Sequence, residues 1–160
     1  MQVSKTNAMR ILDGLKTSYT IHSYDSGDGE IHGNAVAGKI GLPPDTVFKT
    51  LVAHSGPQAY VFVIPVAEEL DLKKAARAAG VKKIEMLPLK ELLKWTGYVR
   101  GGCSPVGMKK LYPTFIHSSA ETLPAIAVSA GRIGVQMELA PGLLAEAVSA
   151  GFADVIKEEQ

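Results

Sequence analysis

From Ser4 to Lys16 the apolar residues Ala8, Ile11, Leu12 and Leu15 recur at helical spacing, with Ser4 or Thr6 placed to cap, so the pattern predicts an opening helix. Tyr19 to Tyr24 alternates and is rich in aromatic and β-branched residues, which predicts a strand broken by Ser26-Gly27-Asp28-Gly29. A short helix is expected over Asn34 to Ile40, stopped by Gly41 and Pro43-Pro44. Two apolar, β-branched runs, Thr46 to His54 and Ala59 to Ile64, flank Ser55-Gly56-Pro57-Gln58 and predict a hairpin of two central strands. Asp71 can cap a helix through Ala79 with Gly80 at its end, and Leu89 to Trp95 gives another helix stopped near Gly97. Tyr98 to Gly107 reads as a loop. Thr114 to His117, Ala125 to Ala130 and Ile133 to Leu139 read as strands, the last two joined at Gly131-Arg132. After Pro141 an amphipathic helix runs to about Ala150 and is closed by Gly151.

Helices interspersed with at least two hairpins imply a mixed sheet in an α/β or α+β fold, with residues 1–160 forming one domain. No repeat, low-complexity tract or linker interrupts the chain. Hydrophobic residues make up 46% and charged residues 21%, a balance that argues against disorder and membrane insertion. Cys103 is the only cysteine, which excludes an intramolecular disulfide and a cysteine-rich zinc site and fits a reducing cytosol. The N-terminal residues show no export signal and no stretch approaches a membrane span, so a cytoplasmic location is expected. A net charge of +1 gives no global attraction to phosphate, so a nucleic acid must be held by local patches or delivered by another protein. The basic groups Lys73, Lys74, Arg77, Lys82, Lys83, Lys109 and Lys110 read first as solvated faces.

Lys49 lies in Val47-Phe48-Lys49-Thr50-Leu51-Val52, a strand apolar on both faces, where an ammonium must pair with an anion, reach an edge or give up its charge. As an edge lysine it discourages strand pairing; as a site lysine it meets a phosphate, carboxylate or developing oxyanion. The loop Gly101-Gly102-Cys103-Ser104-Pro105-Val106-Gly107 offers backbone N–H groups with little side-chain cover, and equally fits a surface loop. Gly131-Arg132-Ile133-Gly134, after Ser129, reads mainly as a hairpin turn. His22, His32, His54 and His117 form no H-x-x-x-H or H-x-H pair, so neither a metal nor a cofactor is expected. No G-x-S-x-G elbow, Walker A loop or G-x-G-x-x-G fingerprint appears. Cys103 has no identifiable base and reads as a small buried hydrophobe.

Four segments in order, Val47-Phe48-Lys49-Thr50-Leu51, Leu70-Asp71-Leu72-Lys73-Lys74, Thr96 to Pro105 (TGYVRGGCSP) and Ser129 to Gly134 (SAGRIG) with Glu138-Leu139-Ala140, resemble the YbaK/EbsC family. That family is related to the editing domain inserted in bacterial prolyl-tRNA synthetases. The resemblance implies a mixed, barrel-like β-sheet with surrounding helices and an aminoacyl-tRNA deacylase that removes cysteine from tRNA(Pro). It implies that Lys49 and Thr50, with Gly101 and Gly102, form the catalytic centre. Tyr24, His32, Ser104, Pro105, Ser129, Gly131, Gly134 and Gln136 are implied on the substrate side. It further implies that the substrate's own thiol attacks its carbonyl, with Lys49 acting as an electrostatic anchor rather than a base. The near-neutral charge leads to the expectation that the tRNA is presented by a synthetase, prolyl-tRNA synthetase, as partner. Gln136 stands where many relatives carry aspartate, and His32 where some carry phenylalanine, so the amino-acid preference is open to change. Removal of alanine from tRNA(Pro), or a binding module without turnover, are the competing readings.

Overall fold

Residues 4–158 are described by the computed structural model. Thr6 accepts the Met9 N–H at 3.2 Å and starts α1, Asn7–Gly14, whose Ala8, Met9 and Leu12 are buried. The edge strand β1, Thr20–Ser23, leads through the glycine-rich break to α2, Gly33–Ile40, which Gly41 closes in the left-handed conformation. The hairpin of β2, Phe48–Ser55, and β3, Gln58–Pro65, turns on Gly56-Pro57 alone, two residues shorter than the gap in the sequence pattern. Asp71 takes hydrogen bonds from the Lys73 and Lys74 N–H groups and caps α3, Leu72–Ala79. Glu85–Met86 then adds a two-residue strand, β4. The helix expected from Leu89 is a 3-10 turn, Leu89–Glu91, running into α4, Leu92–Thr96, with Gly97 as its C-cap. After the loop come β5, Thr114–His117, β6, Ile126–Arg132, and β7, Val135–Leu139, followed by α5, Pro141–Val148, and β8, Gly151–Ala153.

Two further details differ from the sequence pattern. The β6–β7 turn falls on Ile133-Gly134, because Arg132 still pairs with Val135 and the register slips between Ser129 and Arg132. Gly131 serves that irregularity with φ of 100°, and Gly134 the turn with φ of 97°. The last helix is closed by Ser149 at φ of 55°, which frees Gly151 to start β8.

The sheet is mixed and built in two parts. Its antiparallel part has the order β1-β7-β6, and the larger part has the order β4-β2-β3-β5-β8, with β5 parallel to both β3 and β8. A bridge between Val47 and Ala127 joins the two parts. β3 is buried on both faces: Ala59, Val61 and Val63 meet the main core with β6, β7, α1 and α5, whereas Tyr60, Phe62 and Ile64 meet α3. This explains its unbroken apolar run. β2 is less enclosed, because β4 covers it only at Ala53 and His54 and the bridge meets it only at Val47. Among the described residues no helix is long and apolar enough to cross a membrane.

Candidate active site

A cleft of about 600 Å³ opens along the uncovered edge of β2. Five consecutive residues, Val47 to Leu51, line it, which a single strand face cannot do because successive side chains alternate. Val52 C=O accepts the Leu87 N–H at 3.0 Å and therefore points away from β3. Strand alternation turns the backbone groups of Thr50 the same way, toward the cleft. Arg100, Gly101 and Cys103 of the glycine loop, Ser129 of β6 and Gln136 of β7 also line it, with Gly33 and Asn34 from the start of α2 and His32 just before it.

Lys49 is half-buried here. Loss of solvation pushes its pKa below the ordinary lysine value, and the charges of Glu69 and Glu68 only oppose that fall. No carboxylate among the described residues lies within 4.0 Å of it as an ion pair. A partly desolvated cation without a counter-ion gains most from an incoming anionic or partly negative group.

Among the described residues three buried side-chain polar atoms have no hydrogen-bond partner: the Tyr24 hydroxyl, Thr50 Oγ1 and Gln136 Oε1. Thr50 and Gln136 line the cleft, and Gln136 is only 6% exposed. An unsatisfied buried polar atom costs about 1–3 kcal/mol, so clustering of such atoms at one cleft marks groups held ready for a ligand. Tyr24 does not line the cleft; its ring is 5.9 Å from Lys39 Nζ and its backbone N–H donates to the Gly134 carbonyl at 2.9 Å.

The structure thus gathers Lys49, Thr50, His32, Gly101, Ser129 and Gln136 around one opening. The remaining residues singled out from the sequence, Tyr24, Gly102, Ser104, Pro105, Gly131 and Gly134, are not among those that line it. Gly102 lies so close to the β6–β7 turn that a Cβ would sit 3.0 Å from the Ile133 nitrogen. Ser104 is fully buried and accepts the Val106 N–H at 3.2 Å, and Pro105 is buried beside it. Gly131 passes the Tyr98 ring, where a Cβ would approach to 3.0 Å, and Gly134 leaves no more than contact distance to the Tyr24 carbonyl. Tyr98 donates to the Val106 carbonyl at 2.6 Å and so ties the two ends of the glycine loop together.

Arg100 and Asn34 also line the cleft but were not picked out as site residues from the sequence. Arg100 sits next to Gly101 in the glycine loop, and that adjacency was the available signal. Asn34 carried none beyond opening a helix.

The cleft contains no nucleophile paired with a base. Cys103 is 7% exposed, and burial pushes its thiol pKa up to about 12, which keeps it protonated near neutrality. His32 pairs with Glu30 at 2.8 Å on the exposed rim, and the other histidines bond elsewhere. Among the described residues no three His, Cys, Asp or Glu side chains converge as a metal site would require.

A family model described as an aminoacyl-tRNA editing domain matches residues 34–147, a span that contains every cleft residue except those at the Gly29–Gly33 end. The curated protein "Putative Cys-tRNA(Pro)/Cys-tRNA(Cys) deacylase EbsC" of Enterococcus faecalis (strain ATCC 700802 / V583) is 44% identical over 158 residues, covering 97% of this chain and 95% of the relative. Two crystal structures share the fold at 21% identity. One, titled "a putative trans-editing enzyme for prolyl tRNA synthetase", has a TM-score of 0.82 over 97% of this chain and 100% of the other. The second, "hypothetical protein APE2540", has a TM-score of 0.84 over 92% and 97%.

Proposed function

The chain belongs to the YbaK/EbsC family of aminoacyl-tRNA editing domains, and from that premise we propose that it is a trans-editing deacylase acting on mischarged Cys-tRNA(Pro). The observation that carries the proposal is the make-up of the cleft. Among the described residues it pairs a half-buried cation that has no ion-pair partner with orphaned polar atoms, and it offers no nucleophile paired with a base.

In this reading Lys49 anchors the negative charge at the 3′ end of the tRNA. The Thr50 and Gly101 backbone groups face the ester carbonyl, with Gly102 holding the loop in place. Tyr24, Ser129 and Gln136 surround the amino acid, and His32 closes one end; Ser104, Pro105, Gly131 and Gly134 fix the wall behind. The cysteine thiol gives up its proton and its sulfur attacks the carbonyl carbon. The bond from that carbon to the ribose oxygen breaks, the oxygen takes a proton, and a cyclic thiolactone and free tRNA result. The protein contributes orientation and donors aimed at the carbonyl oxygen as negative charge develops there. Lys49 serves as a charge rather than a base. The reaction belongs in the cytoplasm, with prolyl-tRNA synthetase as the partner that presents the tRNA to a protein of net charge +1.

The test is amino-acid release from Cys-, Ala- and Pro-charged tRNA(Pro), and from Cys-tRNA(Cys). Cys-tRNA(Pro) is expected to be cleaved and Lys49→Ala to lose about hundredfold or more in kcat/KM, the scale of truncating one partner of a desolvated charge pair. Ser-tRNA(Pro), with a hydroxyl replacing the thiol, is expected to be spared. Release from none of these substrates by the intact protein would sink the proposal, and a preference for alanine would reassign the amino acid.

A further inference from the structure

The stretch from Leu89 to Tyr112 holds Lys90, Lys94, Arg100, Lys109 and Lys110 against Glu91 alone. That is a net charge of +4 in 24 residues of a chain whose total is +1, so everything outside the stretch is net acidic. All five cations are exposed, and none belongs to an ion pair among the described residues. In the other basic run two of the five cations are paired, Lys74 with Asp154 at 3.0 Å and Lys83 with Glu85 at 3.1 Å, which leaves Lys73, Arg77 and Lys82 unpaired among the described residues.

The fold gathers these charges on one surface. Lys90 and Lys94 lie one helical turn apart, in the 3-10 turn and α4. The segment carrying Lys109 and Lys110 is fastened alongside: Lys109 N–H donates to the Thr96 carbonyl at 3.1 Å, Lys109 Nζ to the Lys94 carbonyl at 3.2 Å, and the Tyr112 hydroxyl to the Trp95 carbonyl at 2.6 Å. Gly97, at the end of α4, is four residues from Gly101 in the cleft wall. Four residues span at most about 14 Å, and Arg100 lies between, exposed and lining the cleft.

Resting on the deacylase reading, we propose that this α4 surface is the track for the RNA backbone, with Lys90, Lys94, Lys109 and Lys110 meeting phosphates of the acceptor end whose esterified terminus enters the cleft past Arg100. Lysines suit this task, since an ammonium acts as a point charge toward phosphate without reading sequence. Leu89, Leu93 and Leu111 are also exposed, at 59%, 55% and 69%. An excess of four positive charges nevertheless favours a polyanion over an apolar protein face.

The experiment measures binding of uncharged, fluorescein-labelled tRNA(Pro) by anisotropy across a KCl series. It compares the intact protein with Lys90→Ala/Lys94→Ala, Lys109→Ala/Lys110→Ala, the corresponding Lys→Arg pairs, and Lys73→Ala/Arg77→Ala as a control surface. Each alanine pair is expected to make the slope of log Kd against log salt shallower by about one per lysine removed. The arginine pairs should restore the slope and the control pair should leave it alone. In deacylation, the alanine pairs should slow cleavage of Cys-tRNA(Pro) while cysteine esterified to a CCA trinucleotide reacts as before. An unchanged salt slope would overturn the proposal and make the surface a protein-docking face, and equal loss on tRNA and trinucleotide would overturn it as a folding effect. If the intact protein binds with the expected slope but releases no amino acid, the RNA surface stands and the deacylase reading falls.

Discussion

Thr50 lines the cleft and alternates onto the same face of β2 as the core residues Phe48 and Val52. Its strand neighbours Phe48 and Val52 on the same face are 2% and 4% exposed, yet its hydroxyl has no partner. Replacing it with valine keeps the shape and removes the unsatisfied oxygen. Thr50→Val is therefore expected to raise stability by up to about 1 kcal/mol in urea titrations while lowering kcat/KM by about tenfold, the worth of one hydrogen bond. Unaltered activity would show that the hydroxyl does not meet substrate. Lys49 shows how far such a site was legible beforehand. Its apolar neighbours posed two alternatives, an edge lysine or a site lysine, and the structure puts it on the uncovered part of β2, where the strand also lines the cleft. The orphaned state of Gln136 was not legible, since it depends on what β6, β7 and β2 leave unpaired in space. A lone cysteine read as a buried hydrophobe is what Cys103 turns out to be.

At the level of elements, α2 reaches the cleft because its first residue has no side chain. A Cβ on Gly33 would lie 2.4 Å from Val66 Cβ, so nothing larger than glycine lets the helix start against the end of β3. Gly33→Ala should push the helix start outward and carry His32 and Asn34 with it. The expected results are a loss of about 1–3 kcal/mol, typical of overpacking, and a rise in KM larger than any fall in kcat. A wild-type melting temperature would contradict it. The long elements were legible because their period and caps agree: Thr6, Asp71, Gly41 and Gly80 each act as the sequence placed them. The short ones were not. β4 and β8 have two and three residues, too few to show a period, and exist through pairing with β2 and β5. Between Gly131 and Gly134 the sequence offered two residues suited to positive φ and no means of telling the bulge from the turn.

On the scale of the whole molecule, the mixed fold followed from the order of helices and hairpins, whereas its closure depends on contacts between distant residues. Val47 meets Ala127 at one end, and at the other the C-terminal segment wraps back over α3 and β5. There Asp71 N–H bonds the Val155 carbonyl at 2.8 Å, Lys157 N–H bonds the Glu69 carbonyl at 2.9 Å, and Leu70 pairs with Ile156. His117, 6% exposed at the end of β5, accepts the Val155 N–H at 3.3 Å through Nδ1, so the imidazole must stay neutral at that nitrogen. Burial depresses its pKa below the usual histidine value, although the Asp154 charge opposes the fall and Lys74 supports it. Between that depressed value and 6.5 the unfolded chain binds the proton that the folded chain refuses. Stability is therefore fully present above the unfolded value and is lost as pH falls through this window. Asp154, held below the ordinary carboxylate range chiefly by its hydrogen bond from Lys74, stays ionised at pH 5 and above. Urea midpoints should thus be lower at pH 5 than at pH 7.5, with amide exchange quickening first at Val155 and Lys157, whose N–H groups hold the wrap. His117→Asn keeps an acceptor near Nδ1 but cannot titrate, so its midpoints should change less over the same range. Parallel pH dependence in the two proteins would mean that acid sensitivity arises elsewhere than in this closure.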